Sequence, residues 1–241
     1  MRTILLLLLV IFASNLMQGI TGFAGTVLAM PFALYLVGYD TAVPVLNLLG
    51  LLSGVYVCIS AYHDIDFSML KRILLCMVPG MGIGVLMIRL LADHVKMLPA
   101  LLGVIVIMLG INGLCHLVTK RKQQSDRFDS LLLWTAGIVH GMYVCGGPLL
   151  ISYLTRKIKE PGQFRATISA VWIFLNGILL VSEIMQGKWN TAAVQGSLAA
   201  LPAFLAGMLV GSALQKKMSK RVFMTITYSL LVVSGISLFM K

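Results

Sequence analysis

Two glycine clusters inside apolar runs are the places in this chain where chemistry could sit. The first is Gly19-Ile-Thr-Gly-Phe-Ala-Gly25, followed by Pro31; the second runs from Gly141 to Gly147 and is followed at once by Pro148. In hydrocarbon, backbone that leaves the helix must be buried in protein or line a wet cavity, so Gly and Pro clusters within apolar runs point to broken helices. The N-terminus of a half-helix offers unpaired N–H groups and the positive end of a dipole, which suits an anion. Gly22, Gly25, Gly146 and Gly147 are the expected backbone donors, and Pro148 fits the first turn of a new helix, where its missing N–H costs nothing. Tight helix packing through small residues is the competing reading.

Polar side chains gather around these clusters. Gln18 and Thr21 flank the first; His140, Tyr143 and Cys145 flank the second. Asn47 lies in the next apolar run, and Ser169 and Asn176, seven apart in a later one, share a face if that run is helical. Buried polar groups cost free energy unless paired, so the set is either a neutral cavity lining or a series of helix–helix hydrogen bonds. His140 titrates near neutrality when unperturbed and could take up a proton with a substrate; a neutral, hydrogen-bonded core histidine is the alternative. Arg165, in Phe164-Arg-Ala-Thr167, could reach an anion through charge-assisted bonds or snorkel to the headgroups.

What is missing narrows the chemistry. Seven of the eight acidic residues fall at or near loops, and only Glu183 lies within an apolar run, close to its end. Sodium- and proton-driven cation carriers usually need a carboxylate in mid-membrane, so a cation carrier is disfavoured. Neither HExxH nor GxSxG occurs, which removes the obvious hydrolase readings. The four cysteines all sit in apolar runs with no CxxC pair. They read as apolar filler rather than as a disulfide framework, a zinc site or a redox centre. No cofactor and no metal is expected.

The elements that must position these residues follow from composition. Of 241 residues 59% are apolar and 11% charged, with a mean hydropathy of +0.96; soluble domains carry about 25% charged residues. Lipid is therefore the solvent for most of the surface. The net charge of +11 sits mainly in short clusters between apolar runs, among them Lys71-Arg72, Lys120-Arg121-Lys122, Arg156-Lys157 and Lys220-Arg221. They read as headgroup anchors rather than a nucleic-acid face. With about 20 apolar residues per crossing, spans are expected at 3–37, 42–62, 73–92, 98–118, 131–155, 164–186, 191–215 and 222–240. The first is too long for one simple crossing and should tilt, break or re-enter. The opening MRTILLLLLVIFAS imitates a signal peptide, but apolar sequence continues to Gly38, so a retained helix is expected.

The chain also repeats. An offset of 122 residues lays QGITGFAGTVL over HGMYVCGGPLL, pairing Gln18 with His140 and Gly25 with Gly147. An offset of 123 lays VPGMGIG over LPAFLAG, pairing Pro79 with Pro202 and Gly84 with Gly207. Paired interruptions at corresponding positions are the strongest sequence pointer to a transporter site. The expected architecture is all-α and polytopic, about eight transmembrane helices in two similar four-helix halves with broken or re-entrant first helices. An N-terminal repeat (1–119) and a C-terminal repeat (131–241) flank a central polar loop (120–130). Glycines 80–84 and those around Gly207 and Gly211 read as packing positions. Basic residues divide nine against ten between the two sides, which leaves orientation open.

GITGFAGTVLAMP, the Gly146-Gly147-Pro148 turn and Phe164-Arg-Ala-Thr167 resemble the sulfite exporter TauE/SafE family over roughly residues 8–240. That resemblance implies transport, often export, of sulfite, sulfonates such as sulfoacetate, or related small anions. The family's first glycine motif often runs GxGGG, whereas Phe23-Ala24-Gly25-Thr26 stands here, and the second half keeps only Gly146-Gly147 before Pro148; the substrate therefore does not carry over. The function expected is a secondary transporter of a small oxyanion in the cytoplasmic (inner or plasma) membrane. An anion channel, or a carrier of a different small organic acid, is the alternative. Its partners are a small anionic substrate and membrane lipid, with no nucleic acid; coupling to protons or another ion, and homo-oligomerisation, are left open.

Overall fold

In lipid every backbone N–H and C=O must find its partner within the segment, which forces apolar runs into helices. A computed structural model describes residues 2–90, 98–116, 126–158, 160–215 and 217–237. Asp93, Lys96, Lys120 to Ser125, Lys159, Lys216 and Lys241 lie outside the described residues. Within them all regular structure is helical: α1 (Arg2–Thr21), α2 (Ala24–Val37), α3 (Tyr39–Ala61), a 3-10 turn (Tyr62–Asp64), α4 (Phe67–Leu90), α5 (Leu98–His116), α6 (Asp126–Tyr143), α7 (Gly147–Lys157), α8 (Pro161–Met185), α9 (Thr191–Gln215) and α10 (Lys220–Ser237). Both runs expected to be interrupted are interrupted, 3–37 between α1 and α2 and 131–155 between α6 and α7. Helix α6 starts at Asp126, so the polar stretch Asp126–Asp129 forms its first turn instead of belonging to a connecting loop.

Length separates spanning helices from half-helices. Tyr39–Asp64, Phe67–Ile88, Gly162–Met185 and Thr191–Gln215 are long and apolar enough to cross a membrane. The 14 residues of α2 and 11 of α7 reach only about 21 and 17 Å at 1.5 Å per residue, short of a ~30 Å hydrocarbon core. The chain is an all-α, multi-pass membrane protein.

Two compact units are present, and each draws on both halves of the sequence: Met1–Leu70 with Pro161–Met218, and Lys71–Glu160 with Ser219–Lys241. In the first, α1 lies along α9 and α3 along α8. The α1–α9 contact is backbone on backbone: a Cβ on Gly207 would stand 2.6 Å from the Phe12 carbonyl oxygen, and one on Gly211 would overlap that of Leu16. In the second unit α5 lies along α10 and α6 folds on α7, while a Cβ on Gly84 of α4 would overlap the Ile138 carbonyl oxygen of α6. Gly84 pairs with Gly207, and Ile138 with Leu16, at the sequence offsets of 123 and 122. Each unit thus contains the same contact, in which the helix before a break docks on a glycine helix from the other half.

In the second unit the Asp129 carboxylate of α6 is 0% exposed and paired with Arg156 (2.7 Å) and Lys157 (3.1 Å) of α7. Those two cations, expected as headgroup anchors, clasp the open end of the α6–α7 hairpin.

Candidate functional site

The first break is closed by its own side chains. Helix α1 stops because Gly22 turns into the left-handed region at φ 81°, its N–H still reaching back to the Gln18 carbonyl at 2.7 Å. Glycine has no Cβ to oppose that conformation. The first amides of α2 then need acceptors, as at every helix start. Thr21 Oγ1 accepts from the N–H of Phe23 (3.3 Å) and of Ala24 (3.1 Å), and Gln18 Oε1 accepts from that of Gly25 at 2.7 Å. Gln18 Nε2 donates to Ser53 Oγ of α3 at 2.8 Å and to the Gly22 carbonyl at 3.3 Å. Gly22 and Gly25, expected as bare donors, are therefore engaged with protein acceptors in this structure, and an anion would have to replace Gln18 to reach Gly25.

Helix α8 surrounds the same break. Trp172 Nε1 donates to the Gly22 carbonyl at 3.0 Å, Phe23 meets Phe164 edge-on with centroids 6.3 Å apart, and the Arg165 stem lies across Gly22, 3.1 Å from where a Cβ would stand. The Arg165 guanidinium donates to Ser212 Oγ at 2.9 Å and to Gln215 Oε1 at 3.4 Å, both neutral groups on α9, while its Nε is buried without a partner. Among the described residues it has no carboxylate partner. A partly buried cation without a counter-charge is costly.

Arg165 begins a stripe. Arg165, Ser169, Trp172, Asn176 and Glu183 fall at i, i+4, i+7, i+11 and i+18 of α8, within a sector of about 60° at 3.6 residues per turn. Sequence reasoning identified Arg165, Ser169 and Asn176; Trp172 passed as apolar and Glu183 as a span end. The signal that would have found them is the spacing itself. Helix α3 meets the stripe with small residues: a Cβ on Gly54 would stand 2.8 Å from the Ser169 carbonyl oxygen, and one on Gly50 2.5 Å from Asn176 Nδ2. Asn47, one to two turns earlier on α3, is buried and donates to the Asn176 carbonyl at 3.2 Å and to Glu183 Oε2 at 3.0 Å. Gln18, Thr21, Gly22, Gly25, Asn47, Arg165, Ser169 and Asn176 thus all belong to the first unit. Ser53, which cross-links the break to α3, was not foreseen.

The second break lies in the second unit and repeats the backbone device of the first. Val144, 122 residues after Gly22, takes φ 56°, and its N–H reaches the His140 carbonyl at 2.7 Å. His140 stands where Gln18 stands in the first half. A β-branched residue in the left-handed region is a strained outlier. Gly146 caps α7 and Pro148 occupies its first turn. A Cβ on Gly146 would lie 2.8 Å from that of His140. His140, Tyr143 and Cys145 are buried beside the turn, as are Gly146 and Gly147. No cluster able to hold a metal occurs among the described residues.

Membrane-spanning helices, two half-helices following breaks of one design, and polar groups held along a spanning helix are the pattern expected of a membrane transporter. The sequence profile of the sulfite exporter TauE/SafE family matches residues 6–238, and the chain belongs to that family. Similar to it is the probable inner membrane transporter protein TsaS of Comamonas testosteroni, 28% identical over 170 residues that cover 66% of this chain and 68% of the relative. No solved structure matches. The chain is a multi-pass transporter of the inner (plasma) membrane.

Proposed function

We propose that this transporter is a secondary carrier of a small oxyanion, with sulfite and organosulfonates such as sulfoacetate as the first candidates. The observation that carries the reading is Arg165: a guanidinium beside a helix break, held by two neutral side chains, with a buried Nε unpartnered. Its planar fork matches the oxygens of a sulfite or sulfonate group. Gln18 supports the reading from the other side, because its carboxamide caps Gly25 in the manner an incoming oxyanion would. Thr21, Ser169, Asn176 and Asn47 supply the neutral polar groups of the proposed pathway in this unit. At the second break His140, Tyr143, Cys145, Gly146 and Gly147 are the proposed counterpart.

The test is counterflow of labelled sulfite and sulfoacetate in liposomes of phosphatidylethanolamine and phosphatidylglycerol containing the purified protein. Saturable flux stimulated from the opposite side is expected. Arg165→Ala should lower apparent affinity about 10- to 100-fold, the range for one lost hydrogen bond to a charged group, with Arg165→Lys in between. Flux that neither saturates nor shows counterflow would make the protein a channel. Unchanged affinity in Arg165→Ala would remove the arginine from the site.

A further inference from the structure

The far end of α8 holds a buried acid that the anion reading does not use. Glu183 is 3% exposed and Asn47 of α3 is 0% exposed. Asn47 spends both N–H bonds, one on Glu183 Oε2 at 3.0 Å and one on the Asn176 carbonyl at 3.2 Å. Two atoms of the pair are left over, Asn47 Oδ1 and Glu183 Oε1, both buried and neither with a hydrogen-bond partner. Both are acceptors in the ionised state. An anionic Glu183 would therefore set acceptors against acceptors here and keep at least one of these buried oxygens without a donor, an arrangement low-dielectric interiors penalise.

The surroundings supply little to offset this. The cation facing the carboxyl is Lys188, in the turn after α8, and its ammonium lies over the Tyr39 ring, 5.7 Å from the centroid. Tyr39 and Asp40 are the titratable groups at the start of α3, and α9 carries no ionisable residue. The indole Nε1 of Trp189, buried in the loop after α8, faces the carboxyl as its other donor; it can serve a carboxylate oxygen but leaves Asn47 Oδ1 without a donor.

A single proton resolves the set. Placed on Glu183 Oε1, it makes that atom a donor to Asn47 Oδ1, closing a two-bond acid–amide ring with the existing Asn47 Nδ2 to Glu183 Oε2 bond. We propose that Glu183 and Asn47 form a proton-binding site, loaded in this conformation as the neutral acid and unloaded during the transport cycle, so that anion flux is coupled to proton flux. An ionisable residue buried in a spanning helix, next to a polar partner on a second one, is where proton relays in carriers reside. This rests on the transporter reading, but the site itself can be tested apart from any substrate.

Infrared difference spectra of the full chain in liposomes, titrated between pH 5 and pH 9, read protonation directly. A carbonyl stretch of a hydrogen-bonded carboxylic acid should be present at pH 7 and missing in Glu183→Gln; identical spectra for the two proteins overturn the proposal. Glutamine reproduces the neutral acid, with Nε2 donating to Asn47 Oδ1, so the variant should fold with wild-type thermal stability. Asn47→Ala should move the pH at which the band disappears, and an unmoved transition removes the amide from the site. In the same liposomes a pH gradient should drive accumulation of labelled sulfite or sulfoacetate by the wild type. Glu183→Gln should lose that accumulation while keeping counterflow at equal pH within about twofold. Gradient-driven accumulation surviving in Glu183→Gln refutes the coupling. Absence of wild-type flux with either anion refutes the anion reading instead, and the spectra still decide the proton site.

Discussion

Gln18 is the side chain on which the first break depends, and replacing it by methionine isolates that role. Methionine has nearly the same length and fills the same space, so little cavity term arises. Three hydrogen bonds go, but they do not count equally. The Gly22 carbonyl keeps the Trp172 indole at 3.0 Å, and Ser53 Oγ keeps its own bond to the Gly50 carbonyl at 2.8 Å. The Gly25 N–H, buried at the start of α2, loses its acceptor outright. One orphaned buried donor costs about 1–3 kcal/mol. For a chain of this size, at roughly 2–4 °C per kcal/mol, the melting temperature should fall by about 2–12 °C. Gln18→Glu should fall further: one carboxylate oxygen still caps Gly25, but the other opposes the Gly22 carbonyl inside the bilayer, and a buried unpaired charge costs more than a lost neutral bond. Thermal unfolding of the purified variants in detergent reads both. A methionine variant within about 0.5 kcal/mol of wild type would mean that Gly25 finds another acceptor and that Gln18 does not close the break.

Three further substitutions probe the second unit. Asp129→Asn leaves Arg156 and Lys157 facing a neutral amide; breaking a buried pair costs about 3–5 kcal/mol, and the partial exposure of these cations, 15% and 29%, places the expected loss near the lower bound, read as a lower melting temperature. Val144→Gly removes a buried side chain worth about 1.5–3 kcal/mol but also relieves left-handed strain of about 1–3 kcal/mol, so it should lie within about 1 kcal/mol of wild type. Val139→Gly, in helical backbone of α6, has no such relief and should melt clearly lower; equal losses at the two positions would show that Val144 is unstrained.

Sequence carries some of this and hides the rest for physical reasons. Helices follow from apolar run length alone, because lipid leaves the backbone no other solution. The breaks follow from glycine and proline punctuation, and the 122-residue offset that aligned Gln18 with His140 also aligns Gly22 with Val144, two positions sharing one backbone conformation. Val144 itself gave no warning, since valine is not a residue that invites a left-handed turn. Whether the amides at a break are free was equally invisible: it depends on Gln18 reaching seven residues forward across the turn to Gly25. The docking of α1 on α9 joins segments almost 200 residues apart, and glycine spacing marks a packing face without naming its partner. Asp129 and Glu183, set aside as lying near loops or a span end, are both buried, because position along a helix does not reveal which neighbour covers it.

The two ends of α8 constrain how an anion and a proton could be linked. Arg165 and Glu183 are eighteen residues apart, about 27 Å along the axis, so neither charge acts on the other directly through more than a weak, screened field. Coupling across such a distance needs an element with two arrangements that both sites bias. Helices α3 and α8 qualify in form. They touch through Gly54 and Gly50 at separations that leave no room for a methyl group, so the contact shifts as a whole or not at all. Asn47, on α3, joins the acid to the Asn176 carbonyl on α8, while Ser53, on α3, joins that helix to Gln18 at the break. Loss of a proton at Glu183 sets carboxylate oxygen against amide oxygen at one end of this pair, and the hydrogen bond that holds the first break closed is anchored on the same helix, Asn47 and Ser53 being six residues apart.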